Sequence, residues 1–242
     1  MPAIIDATRQ KMQKLTTRIL MAERLSPDIM RLFLACPATI RANYQSGQYI
    51  NIHYNDRPRS FSLANAPGQN EHLELHIRRV PDNDFTDYIF EKSSRGDVLE
   101  MSGPFGEFAI RQPCEHPLLF VAGGTGFAPI KSFIEYLLAA GNPQAMHLYW
   151  GVRTRQDLYL ETLAHAWQRH HDIHYTPVLS QPGKADHWTG KQGLVHEVVG
   201  AQLNDLSPYE VYISGPPQMI ASAHRHFLDL GLTAEHFHTE SY

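Results

Sequence analysis

The run Leu118-Leu119-Phe120-Val121-Ala122-Gly123-Gly124-Thr125-Gly126 constrains the fold more than any other stretch of the chain. Its unbroken apolar residues, Leu118 to Ala122, suit a strand buried on both faces of a parallel sheet. Gly123, Gly124 and Gly126 then turn the chain tightly and leave backbone N–H groups uncovered. Beyond the turn, Ile130, Phe133, Ile134, Leu137 and Leu138 recur at helical spacing, and Pro129 suits the first helical turn. A strand, a glycine turn and a helix start together form a seat for a phosphate-bearing ligand. The turn is not a Walker A loop, because Lys131-Ser132 is not preceded by Gly. It is not a GxGxxG fingerprint, because Pro129 stands where the third Gly belongs. On the glycines alone, dinucleotide binding and an ordinary strand-to-helix turn both stay open.

The length of 242 residues accommodates one large domain or two of ordinary size. A formal net charge of −4 gives no electrostatic footprint for nucleic acid, and no basic block argues for a membrane surface. No apolar run is long enough to span a bilayer, and Met1–Gln13 lacks a signal-peptide core. The expectation is a cytoplasmic chain with no membrane insertion and no nucleic-acid partner. Cys36 and Cys114 stand far apart, form no CxxC, and cannot supply the four thiolates of a ferredoxin-type cluster. The 15 histidines include the groups His170-His171 with His174, His224 with His226, and His236 with His238. None forms HExxH and no Cys lies near them, so they read as scattered surface histidines and no metal site is expected.

Residues 1–13 read as a loose end or short helix. From Lys14 the pattern is β. Residues 29–35 make a compact strand, and residues 48–54 alternate Tyr49, Asn51 and His53 with Ile50, Ile52 and Tyr54. Leu73, Leu75 and Ile77 alternate with Glu74, His76 and Arg78, the mark of a half-buried strand. Strands at 98–103 and 107–110 flank the turn Gly103-Pro104-Phe105-Gly106, and a helix is expected near 87–92. Short strands with glycine and proline turns predict a small antiparallel barrel. After about residue 113, strand and helix alternate. Strands are expected at 118–122, 146–151, 173–179 and 211–214, with helices at 155–170, 193–200 and from Met219 to Gly231. A short last strand contains Phe237. The fold class is therefore a two-domain α+β chain. An N-terminal antiparallel six-stranded Greek-key β-barrel (residues 14–113) precedes a doubly wound parallel α/β nucleotide-binding domain (residues 114–242).

The stretch Arg57-Pro58-Arg59-Ser60-Phe61-Ser62-Leu63-Ala64-Asn65 carries the first chemistry. Arg59 suits a phosphate, Phe61 the face of a flat heterocycle, and Ser62 its polar edge. Read alone, it is equally a strand edge with a salt bridge. Taken together, Arg59-Ser60-Phe61-Ser62, Gly123-Gly124-Thr125-Gly126 and Ser214-Gly215-Pro216-Pro217 resemble, in order and spacing, the motifs of the ferredoxin–NADP reductase superfamily. The likeness runs from about Lys14 to Tyr242. It is strongest to the reductase modules of oxygenases and of CDP-6-deoxy-sugar reductases. The small NAD(P)H:flavin reductases are also similar, through Leu148-Tyr149-Trp150-Gly151 and Asp157-Leu158-Tyr159.

This resemblance implies an NAD(P)H-dependent flavin oxidoreductase that binds FAD, with FMN or free flavin as alternatives, and NADH or NADPH. It implies that Arg59 holds a flavin phosphate, Phe61 packs on the flavin and Ser62 bonds near its reactive nitrogen, with Ser60 a further cofactor-binding residue of the same motif. His76, Ile77 and Arg78 would line the ribityl and phosphate chain, and Thr86 would meet the pyrophosphate. Gly123, Gly124, Thr125 and Gly126, with Gly215 and Pro216, would cradle the nicotinamide nucleotide. Asp157 suits a ribose hydroxyl of NADH, whereas Arg153 and Arg155 suit the 2′-phosphate of NADPH or equally the start of a surface helix. Ser62, Ser214 and Glu240 would act at the reacting ring, which Tyr242 would cover. The bland alternatives are a solvated His76, a surface pair Arg78-Arg79, a tail charge at Glu240 and an ordinary terminal Tyr242.

Three features depart from the family pattern. Ser214 replaces the Cys of its C-G-P-P element, which bears on the efficiency of hydride transfer. Asp82-Asn83-Asp84 replaces a glycine-rich turn and sets carboxylates beside a pyrophosphate, which opposes tight FAD binding. The iron–sulfur domain usual in related modules is absent from the sequence. The electrons are therefore expected to leave for a separate acceptor, an iron–sulfur protein or oxygenase component. The alternatives are reduction of free flavin as a substrate, and a non-catalytic nucleotide-binding regulator.

Overall fold

A computed structural model describes residues 14–41, 43–68, 71–113 and 115–241. The expectations for residues 1–13, Cys114 and Tyr242 fall outside this range. In the first half, the strands are β1 (Leu15–Ser26), β2 (Ile29–Ala35), β3 (Tyr49–Tyr54), β4 (Arg57–Ser62), β5 (His72–Arg78) and β6 (Val98–Phe105). They form one antiparallel sheet in the order β4-β3-β6-β1-β2-β5. Its inward residues, among them Ile19, Leu32, Leu34, Ile50, Ile52, Leu73, Leu75 and Ile77, make one core with Phe85 and Ile89. Phe85 and Ile89 lie on α2 (Asp84–Glu91), whose start is capped by the Asn83 side chain accepting from the Thr86 N–H. The sheet curls so that its two edges meet just past β4. There the Ala64 N–H donates to the Glu74 carbonyl, and the Asn65 carboxamide bonds the backbone of His72 and Glu74. A short helix, α1 (Ala38–Arg41), lies between β2 and β3.

The second half is a parallel sheet in the order β10-β9-β8-β7-β11-β12. Its strands are β7 (Leu118–Gly123), β8 (Met146–Val152), β9 (Ile173–Leu179), β10 (Lys191–Gln192), β11 (Glu210–Gly215) and β12 (Phe237–Ser241). Every residue of β7 is buried, as its apolar run requires. Leu118, Phe120 and Ala122 pack with α3 (Phe127–Ala139) and α4 (Glu161–His170), whereas Leu119 and Val121 pack with α5 (Val195–Gln202) and α6 (Pro217–Asp229). Helices on both faces make the domain doubly wound.

Several expectations need correction. Residues 107–110 form no strand. β6 continues through Gly103 and Pro104, and a register shift opposite β3 absorbs the extra residue as a bulge. Residues 107–111 instead make an extended strap. The Arg111 N–H donates to the Tyr212 hydroxyl, and Phe108 packs against Phe133 in the core of the second half. The helix expected over 155–170 is two pieces, because a capping box of Thr154 and Asp157 closes a single 3-10 turn and α4 begins at Glu161. The helix expected near 87–92 starts earlier, at Asp84. β5 is not half-buried, since Glu74 and His76 are as covered as Leu73 and Leu75.

The polar face of β5 is buried against α3. Glu74 accepts from Lys131 Nζ (2.9 Å), Arg31 Nε (2.9 Å) and His76 Nε2 (2.9 Å). Lys131 also donates to Glu135 (2.8 Å) and the Ala64 carbonyl (3.1 Å), and Ser132 Oγ donates to the Asn65 carbonyl (2.8 Å). Lys131-Ser132 therefore points into the barrel half, away from the glycine turn. Although burial opposes it, the bond from His76 and the charge of Lys131 hold the Glu74 carboxyl well below the usual carboxylate range. Burial pushes His76 down, so its ring is neutral. With Nε2–H donating to Glu74, Nδ1 accepts from the Tyr159 hydroxyl at 3.0 Å. This network fixes one domain against the other.

Candidate functional site

The glycine turn closes because neighbouring backbones approach it without side chains between them. A Cβ on Gly126 would stand 2.1 Å from the Ser214 carbonyl oxygen. One on Gly215 would stand 3.1 Å from the Gly123 Cα, and one on Gly123 would stand 2.5 Å from Met219 Sδ. Gly124 takes φ +54°, a conformation that favours glycine. Its carbonyl accepts from Trp150 Nε1 at 3.0 Å, and the Trp150 indole stacks on Phe127 with ring centroids 3.8 Å apart. The conformation of the turn is thus held by β8 and the start of α3.

A cavity of about 510 Å³ opens at this turn, at the carboxyl ends of β7, β8, β9 and β11. That edge is where an open α/β sheet binds ligands. Of the expected residues it brings together Gly123, Gly124, Asp157, Pro216 and, from the barrel half, Arg78. The Arg78 guanidinium lies 3.4 Å from Asp157 Oδ1, so it spans the seam between the halves. The other Asp157 oxygen accepts from the Thr154 N–H and hydroxyl. This carboxylate is therefore engaged on both sides. Arg153 lines the cavity and Arg155 does not.

Two buried polar atoms have no hydrogen-bond partner: His196 Nδ1, whose residue lines the cavity, and Ser214 Oγ, whose wholly buried residue lies behind the turn and not on the cavity wall. Burial pushes the His196 imidazole below its ordinary pKa. An orphaned hydroxyl beneath the turn, an orphaned ring nitrogen in the wall and bare glycine backbone fit a nicotinamide nucleotide. Sequence reading missed His196, Gln218 and Ser222. The signal for His196 and Gln218 was their place just after Gly193 and Gly215, at the starts of α5 and α6; Ser222, one turn further along α6, carried none.

The second locus lies on the barrel. Arg59 is mostly covered, sits 5.5 Å from the Phe85 ring centroid, and ion-pairs with Asp84. Asp84 also accepts from Asn55 Nδ2 at 2.8 Å, and that bond together with Arg59 holds its carboxyl below the usual range. Half-buried Phe61 packs on Phe85 (5.5 Å), which also meets Tyr54 (5.5 Å). A guanidinium beside an aromatic shelf fits a flat ring with a phosphate, but Asp84 already neutralises that guanidinium. Ser60 Oγ donates to Asn51 Oδ1 at 2.7 Å and is exposed. Ser62 is half-buried at the end of β4, opposite Tyr49.

Two expected roles are not those of the side chains seen. The His76 ring is enclosed between Glu74 and Tyr159, and Ile77 is wholly buried, so either meets a ligand only through its backbone. Thr86 is buried, with its hydroxyl bonding the carbonyls of Val80 and Asn83 within the turn and its N–H donating to the Asn83 cap, rather than facing outward. Glu240 pairs in register with Ser214 across β11 and β12, and burial raises its carboxyl above the ordinary value. Thr125 is half-buried within the glycine turn.

Comparison with known proteins agrees with this geometry. Residues 16–110 match the family model described as "Oxidoreductase FAD-binding domain", and residues 120–225 match "Oxidoreductase NAD-binding domain". The chain is 38% identical over 221 residues to the CDP-6-deoxy-L-threo-D-glycero-4-hexulose-3-dehydrase reductase of Yersinia pestis, covering 91% of this chain and 66% of that protein. It is 32% identical to reductase component 1 of the terephthalate 1,2-dioxygenase of Comamonas sp., covering 94% and 68%. The crystal structure of the Amycolatopsis cytochrome P450 reductase GcoB superposes with a TM-score of 0.84 at 28% identity, over 95% of this chain and 70% of that one. The chain thus spans about two thirds of the length of the curated relatives it matches. Among the described residues, no helix is long and apolar enough to cross a membrane.

Proposed function

Because the chain belongs to the ferredoxin reductase-like family of FAD- and NAD-binding oxidoreductases, we propose that it moves reducing equivalents from NADH or NADPH, through FAD, to a separate electron acceptor. The observation that supports this most is the cavity at the glycine turn, walled by the second half and reached from the barrel by Arg78. The chemistry supplied by a bound flavin is hydride acceptance followed by one-electron release. The chain's own task is positioning, with reacting atoms held about 3–3.5 Å apart. Gly123 and Gly124 present bare backbone to the nucleotide's phosphates, and Ser214 Oγ supplies a hydrogen bond to the nicotinamide. Arg59 and Phe61 hold the flavin from the barrel side. Glu240 lies one strand away from Ser214 and is the carboxyl best placed to hold a proton at the reacting end. The acceptors fitting the relatives' names are an oxygenase component or another partner protein.

The Arg59–Asp84 pair favours a second reading, in which flavin exchanges freely and is itself the substrate. Desalting the purified protein and adding NADH or NADPH separates the two. Retained yellow colour that bleaches supports bound FAD. Colourless protein that oxidises the nucleotide only with added flavin supports exchange. No oxidation with any flavin or dye would leave the non-catalytic regulator and overturn both.

A further inference from the structure

Far from the nucleotide end, three parallel neighbours begin together. His116 precedes β7, Glu210 opens β11 and His236 precedes β12, with Glu210 paired to Leu118 and Val211 to Phe237. One ligand atom from each of His116, Glu210 and His236 lies within 4.8 Å of the other two. The residues sit about 17 Å from the nucleotide cavity, taking roughly 3.3 Å per strand residue from Glu210 to Gly215. They play no part in the proposed electron path.

Glu210 is buried, and among the described residues its ion-pair partner within 4.0 Å is a histidine, His238 Nε2. A buried carboxylate whose ion-pair partner is an imidazole, with two further imidazoles beside it, suits a cation. The imidazoles are prepared to share one. His116 Nδ1 lies 3.2 Å from the Pro208 carbonyl oxygen, to which an Nδ1–H donates. His236 Nδ1 is buried and has no hydrogen-bond partner. The two rings lie side by side, with centroids 4.6 Å apart. His238 Nε2 bonds the Glu210 carboxylate, as partners of metal-binding carboxylates do.

We infer that His116, Glu210 and His236 form a binding site for one divalent ion of the zinc class, tying the edge strand β12 to β7 and β11. Two imidazoles and a carboxylate suit zinc rather than magnesium or calcium, which prefer oxygen ligands throughout. Ligand atoms around a tetrahedral zinc stand about 3.4 Å apart at bonds of 2.0–2.1 Å, so modest side-chain rotation closes the set. Water fills the fourth position. The sequence shows no such site, because His116, Glu210 and His236 lie far apart along the chain and form no HExxH or other local ligand spacing.

The test is titration of the chelator-stripped full chain with Zn²⁺ alone, followed by calorimetry and by the thermal midpoint. The expected result is one equivalent bound with micromolar affinity or better and a raised midpoint. Glu210→Gln and His236→Gln should each weaken binding by about tenfold or more. His174→Gln, at the separate His147–His174 ring pair, should leave it unchanged. If Glu210→Gln does not fold, His116→Gln at a half-exposed position serves in its place. No stoichiometric binding, or binding of several equivalents that survives these substitutions, would mean adventitious surface histidines only and would overturn the inference.

Discussion

On the proposed reading, Asp84 competes with any anion that Arg59 would hold on the barrel. Its carboxylate occupies the guanidinium of Arg59, so a phosphate must displace it. Asp84→Asn should raise the fraction of FAD retained after desalting several-fold, with little change in thermal midpoint. An unchanged or lower fraction would show that Arg59 does not meet the phosphate. Ser214 offers a second residue-level test. Its hydroxyl is buried without a partner, a state that costs about 1–3 kcal/mol. Ser214→Ala should leave the thermal midpoint unchanged or higher while kcat/KM for the nicotinamide nucleotide falls about tenfold, the worth of one hydrogen bond. A lowered midpoint with unaltered kinetics would contradict that role. The glycine turn was legible in the sequence because its residues are contiguous. The Arg59–Asp84 pair was not, because 25 residues separate its members and only β4 and the start of α2 bring them together. The turn before Thr86 did show as acidic, but the arginine that answers it did not.

Among the elements, β5 was the most instructive misreading. Alternation of Leu73, Leu75 and Ile77 with Glu74, His76 and Arg78 has the period of a strand with one wet face. Sequence periodicity cannot reveal that a second domain covers that face. The identity of the cover was visible only as Lys131-Ser132, residues that failed to complete a phosphate loop and instead bond to Glu74 and Asn65. Because Lys131 and Glu74 are both buried, Lys131→Met should destabilise the protein by about 3–5 kcal/mol in chemical denaturation. The double variant Lys131→Met/Glu74→Gln should cost less than the two single losses added together. Additive losses would show that the pair is not coupled. The same face sets a pH dependence. The lowered pKa of His76 means that the unfolded chain takes up a proton below about pH 6.5 while the folded chain resists it, so stability falls as pH drops through that value. The lowered pKa of Glu74 contributes stability that is fully present above its unfolded value and is lost progressively as pH falls from there toward the depressed folded value. His76→Gln should flatten the thermal midpoint between pH 7 and 5 relative to the parent; an equally steep profile would assign the dependence to other histidines.

At the scale of the molecule, the order of the two sheets follows from a change in pattern near residue 113, from short strands with turns to strand-helix alternation. That change was readable, and so was the doubly wound second half, because β7 is apolar throughout and its neighbours carry helices. The strap of residues 107–111 was not readable as a link, since its apolar Phe108 and Ile110 have strand spacing but pack into the second core. The central claim is that nicotinamide and flavin meet on one protein, held by residues from both halves. The most direct test is anaerobic titration of the FAD-loaded chain with NADH and then NADPH, watching the flavin absorption. The account predicts stoichiometric bleaching by at least one of them, far faster than for free FAD at the same concentration. Bleaching no faster than that of free FAD would contradict it.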